Sequence, residues 1–161
     1  MKVAVFFVGS DLMMDDGVGP EVYQRLVAGY ELPSEVDLYN VGCMSLEMIS
    51  LVERYDFMIT VDAVDGTDEA PGTVFRYTPD DVARRGTPMA SLHDLKLADL
   101  FDAASLLGYS SEGLCLGMQV ENAEPAEMHV GLTPAVEASV PLLLETVVAE
   151  LTKLGCPPQK K

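Results

Sequence analysis

The chain has no tryptophan, two histidines, three cysteines and only 10 lysines and arginines against 26 aspartates and glutamates. Each shortage excludes something. A formal charge of −16 and a pI near 4.2 exclude sequence-independent binding to nucleic acid or to an anionic membrane, because both depend on Lys and Arg. Cys43, Cys115 and Cys156 are odd in number and contain no C-x-x-C pair, which argues against a disulfide framework or a zinc knuckle and fits a reducing cytoplasm. With two histidines there is no H-E-x-x-H helix, so a tightly held catalytic zinc of the common peptidase kind is not written here. The N-terminal apolar run stops at Ser10-Asp11, too short for a signal-peptide core, and no segment approaches the length of a membrane span.

What is present begins with Val3-Ala4-Val5-Phe6-Phe7-Val8, a buried strand that empties into Gly9-Ser10-Asp11-Leu12-Met13-Met14-Asp15-Asp16-Gly17-Val18-Gly19-Pro20. Pro20 suits the first position of a following helix. Nucleotide-binding turns at this place offer glycine N–H groups and a positive helix end to a phosphate. Here Asp11, Asp15 and Asp16 would repel that anion, and Gly9, Gly17 and Gly19 lack the G-x-G-x-x-G spacing, so the loop is suited to a cation.

Further along, periodicity predicts a strand at 36–41, a helix from about Ser45, a buried strand at 57–61 closed by Asp62, and a strand at 73–77. About ten residues separate the last two, too few for a parallel crossover, so the 73–77 strand is expected to be antiparallel. Leu97, Leu100, Phe101, Ala104 and Leu107 mark an amphipathic helix, 114–120 a last strand and 121–131 a surface loop. The final helix starts at Thr133-Pro134 and carries Val136, Val140, Leu143, Leu144, Val147, Leu151 and Leu154 inward. The expected architecture is a three-layer α/β/α sandwich on a five-stranded, mostly parallel sheet with one antiparallel strand. Residues 1–155 form a single domain and 156–161 a frayed tail.

In such a sheet the acidic loop and Asp62 leave the carboxyl ends of neighbouring strands, where ligands bind. His93 opens the helix that follows the fourth strand, near the same rim. Two carboxylates and an imidazole suit a divalent first-row metal with positions left open. Cys43 follows the second strand at a helix start, where a thiol's pKa is lowered, but has no base nearby in sequence, and a small buried packing residue is its default. Cys115 and Cys156 read as packing residues and His129 as solvent-exposed. Met13 and Met14 offer apolar contact to a partner's tail.

Asp15-Asp16-Gly17-Val18-Gly19, Val61-Asp62-Ala63-Val64-Asp65, Ser91-Leu92-His93, Leu116-Gly117-Met118-Gln119 and Gly131-Leu132-Thr133-Pro134-Ala135-Val136, in that order, resemble the [NiFe]-hydrogenase maturation endopeptidases. The resemblance spans nearly the whole chain and implies a phosphorylase/hydrolase-like version of the sandwich. It implies that Asp16, Asp62 and His93 are both the catalytic and the metal-binding trio. The metal would be the nickel already inserted into the precursor of a hydrogenase large subunit, whose C-terminal extension is cut off, with zinc or cadmium as surrogates. Two departures stand out: Phe7-Val8-Gly9-Ser10 replaces the family's Gly-x-Gly-Asn, and Asp16 stands where Glu is common. A metal so held could polarise a carbonyl or activate water with Asp15 as proton acceptor, or it could only position the scissile bond. The alternative from another class is a magnesium-binding receiver domain phosphorylated on Asp62. A receiver, however, would carry a lysine after the last strand, where Gln119-Val120-Glu121-Asn122 stands, and it gives His93 no task.

Overall fold

The structure, a computed structural model, describes residues 1–42, 48–78, 90–91, 97–109 and 111–161. Its elements are β1 (Val3–Val8), a 3₁₀ turn (Met14–Gly17), α1 (Val18–Gly29), β2 (Tyr30–Glu31), β3 (Val36–Val41), α2 (Ile49–Arg54), β4 (Phe57–Asp65) and β5 (Val74–Tyr77), followed by β6 (Ala90–Ser91), α3 (Leu97–Ser105), β7 (Glu112–Gln119), α4 (Pro134–Lys153) and β8 (Gln159–Lys160). The main sheet has the order β3-β1-β4-β7-β5. β3, β1, β4 and β7 are mutually parallel, and β5 runs antiparallel to β7, as the short connection after β4 requires.

The central strands are apolar on both faces because both faces are covered. Val3, Val5 and Phe7 of β1, Ile59, Val61 and Ala63 of β4, and Leu114, Leu116 and Met118 of β7 pack with α1 and α4. Ala4, Phe6, Val8, Met58 and Cys115 face the other way, onto Val52 of α2 and Leu100 and Ala104 of α3. Alternation along each strand thus builds two cores and three layers from one sheet.

Several boundaries differ from the sequence expectation. α1 begins at Val18, so Pro20 is its third residue, still within the first turn where a missing N–H costs nothing. β4 does not close at Asp62 but continues to Asp65, because Val64 and Asp65 pair with β6 and Val64 also pairs with Gln119 of β7. Leu107 lies beyond α3 and is exposed, since the helix ends at Ser105. The terminal segment is not frayed: Gln159 and Lys160 pair antiparallel with Glu31 and Tyr30, and Cys156 is buried. Among the described residues no helix is long and apolar enough to cross a membrane.

Candidate active site

The acidic loop is held by close approach of main chain. Gly9 has φ +133°, and a Cβ there would stand 2.0 Å from the carbonyl oxygen of Asp16. A side chain is therefore incompatible with the turn on both counts. At Gly19 a Cβ would meet the carbonyl oxygens of Val8 at 2.5 Å and Val61 at 2.9 Å, so the first turn of α1 sits directly on the ends of β1 and β4. The 3₁₀ turn that carries Asp15 and Asp16 packs against β4 as well.

This packing gives the two adjacent aspartates different surroundings. Asp16 is buried at the carboxyl end of β1, and its Oδ2 accepts the N–H of Ser10 at 2.9 Å. Asp62 is half-buried on β4, one residue past the Phe7–Val61 pair, and its Oδ1 accepts the N–H of Ala63 at 2.8 Å. Asp16 thus lies against Gly9, just past the carboxyl end of β1, and Asp62 lies on the neighbouring parallel strand one residue past the last β1–β4 pair, three residues before β4 ends. His93 and Cys43 lie outside the described residues, and among the described residues no cluster of three metal-ligating side chains occurs.

Asp15 is a different case from the sequence expectation. Its side chain is fully buried and receives the N–H groups of Glu121 and Asn122, both at 2.9 Å, the N–H of Thr133 at 2.7 Å, and the Thr133 hydroxyl at 2.8 Å. A carboxylate surrounded by four donor contacts and closed to water has no place for a proton from substrate, so the proton-acceptor role fails on geometry. Asp15 is a clasp that ties the acidic loop to the loop after β7 and to the start of α4.

Three residues to which sequence reasoning gave no role at the site support its surroundings. Thr133 precedes Pro134 at the start of α4 and reads as a helix cap, yet its hydroxyl makes no capping bond and goes to Asp15. Gln119 ends β7 with its side chain buried; its Nε2 donates to Asp65 Oδ1 and the Val120 carbonyl, while its Oε1 accepts from Thr67. It fixes the loop after β4, and a polar residue closing a buried strand was the available signal. Tyr77 lies against the same core as Val8 and Met58. Burial raises its phenol far above the ordinary value, with Cys115 and the Asp62 charge adding, so it stays a neutral hydroxyl. A cavity of about 400 Å³ lined by Phe57, Glu112 and Leu114 opens at the amino ends of β4 and β7, the end away from Asp16 and Asp62.

Fold and site together define an α/β/α protein with a carboxylate-bearing rim at the carboxyl ends of its parallel strands. A family profile described as hydrogenase maturation protease matches residues 20–150. The hydrogenase 2 maturation protease of Escherichia coli is 33% identical over 156 residues, 96% of this chain and 93% of that protein. The hydrogenase expression/formation protein HupD of Rhizobium leguminosarum is 30% identical, over 96% of this chain and 76% of that protein. Among solved structures, the hydrogenase maturating endopeptidase HybD from E. coli superposes with a TM-score of 0.87 at 31% identity, covering 100% of this chain and 98% of that one. The chain belongs to the hydrogenase maturation protease family and is a peptide hydrolase. The receiver-domain alternative is not favoured by any of these similarities.

Proposed function

We propose that this enzyme removes the C-terminal extension of a [NiFe]-hydrogenase large-subunit precursor, and that Asp16, Asp62 and His93 recognise the nickel that the precursor already holds. The observation that carries the reading is the placement of Asp16 against Gly9 past the end of β1 and of Asp62 just past the β1–β4 pairing on the adjacent parallel strand, in a chain of this family. Carboxylate oxygens with one imidazole nitrogen form a donor set that suits a divalent first-row metal. The nickel is written here as part of the substrate. Such a rim gains binding energy only when the precursor presents its cation, so an unmetallated precursor is passed over. The bound metal either polarises the scissile carbonyl or holds the bond in register; with Asp15 committed to its clasp, neither route draws on that residue for proton transfer. The compartment we assign is the cytoplasm, a reading supported by a sequence with three cysteines and no C-x-x-C pair.

The test is to incubate the cognate precursor, with and without nickel, with the wild-type protein and follow loss of the extension by mass. Cutting of the nickel-loaded form alone is expected, and Asp16→Ala or His93→Ala should abolish it. Equal cutting of the nickel-free precursor would refute recognition through the metal.

A further inference from the structure

Leu12, Met128 and Val130 are 46%, 75% and 71% exposed, yet they are not scattered. The N–H of His129 donates to the Leu12 carbonyl at 2.8 Å, and the N–H of Met14 donates to the His129 carbonyl at 2.9 Å, making a parallel bridge centred on Met13 and His129. In a parallel pairing both main-chain groups of the central residue turn toward the partner, so those of its neighbours turn away. The N–H and C=O groups of Met128 and Val130 therefore point outward, and among the described residues nothing bonds to them. Leu12, Met128 and Val130 are the exposed apolar neighbours of the bridged pair Met13 and His129. Val130 also lines, with Met14 and Leu132, a cleft of about 190 Å³ bordered by Asp11.

We propose that residues 128–130 are a strand-addition dock for the substrate: an extended segment of the precursor beside its cleavage site pairs with the open edge and lays alternate apolar side chains on Leu12, Met128 and Val130. This deepens the processing reading above and rests on it. The occupant follows from continuity, because the loop that holds the bridge runs on through Met14 and Asp15 into Asp16, so the open edge and the carboxylate of the rim are carried by one loop. It follows also from charge. Asp11, Glu121, Glu124 and Glu127 are exposed around the ribbon, so a second copy of this chain would set acid against acid, whereas a segment carrying Lys or Arg is attracted. Main-chain pairing gives a strand-addition site its affinity and the alternate side-chain contacts its selectivity.

Two variants separate these contributions. Val130→Pro deletes one outward N–H while keeping apolar bulk, and Met128→Glu deletes an apolar contact while leaving the main chain intact. Each should raise KM for the nickel-loaded precursor about tenfold, with kcat changed less than about twofold and the unfolding midpoint unmoved, because both side chains are exposed. Met128→Leu should restore the wild-type KM. In parallel, addition of a synthetic peptide spanning the cleavage site should slow hydrogen exchange at the amides of Met128 and Val130. An unchanged KM in both variants, with wild-type protein cutting normally, would overturn the dock and leave the processing reading in place. Failure of the wild-type protein to cut any form of the precursor would overturn the processing reading and the dock with it.

Discussion

Asp15 and Asp16 are neighbours of the same chemistry whose tasks are set by where their partners come from. The donors to Asp15 lie 106, 107 and 118 residues away in the chain, in the loop after β7 and at the start of α4. No local pattern can show that, which is why sequence reasoning marked an acidic loop but not which of its carboxylates is spent on structure. Asp15→Ala leaves buried N–H groups and the Thr133 hydroxyl without their acceptor, at a cost of about 2–4 kcal/mol. For a chain of this size that corresponds to a fall of roughly 5–15 °C in the unfolding midpoint. Differential scanning calorimetry checks it, and a midpoint within about 1 °C of wild type would show that the clasp is not structural. The departure at Ser10 is accounted for at the same scale, because its main-chain N–H, not its side chain, holds Asp16.

At the scale of elements, what was legible followed from periodicity and connection length. Continuous apolar runs marked β1, β4 and β7 as central strands, and the short link after β4 forced β5 to run antiparallel. What was hidden depended on partners far along the chain: the extension of β4 past Asp62 depends on β6, and the order of the last residues on β2. Glu150 is a further instance. It lies on the apolar stripe of α4, is 4% exposed, and is held by Arg76 of β5 through Nε–Oε1 at 2.6 Å and by Lys153 at 3.6 Å. Burial pushes its carboxyl up, but the Arg76 hydrogen bond and charge, with Lys153 behind them, outweigh burial and hold it below the usual glutamate range. A depressed carboxylate contributes stability that is present above its unfolded pKa and is lost as the pH falls through the folded value. Glu150→Gln should therefore be less stable than wild type by about 1–3 kcal/mol near neutrality. The gap should narrow as the pH falls below the ordinary glutamate range, about 4.3. Urea unfolding of both proteins at a series of pH values measures this, and a gap independent of pH would show that the ion pair contributes nothing.

For the whole molecule, the formal charge of −16 is the property the fold neither creates nor hides. It surrounds a rim already lined by carboxylates and keeps anionic partners away over a distance set by salt, about 30 Å at 0.01 M and about 8 Å at 0.15 M. On the function proposed above, a precursor that presents a nickel centre and a basic segment would be drawn in by the same field, which acts on encounter rate more than on the chemical step. Processing should accordingly lose kcat/KM as sodium chloride rises across that range, with kcat nearly constant. Replacing Glu121, Glu124 and Glu127 together with glutamine should flatten the dependence, since these exposed carboxylates stand in the loop that borders the ribbon and make no ion pair within the described residues. Asp15 keeps its main-chain donors from this loop in the triple variant, so the clasp is preserved and the measurement isolates charge from shape. Steady-state rates at four or five salt concentrations suffice, and a kcat/KM that rises with salt would mean that the precursor approaches by another face.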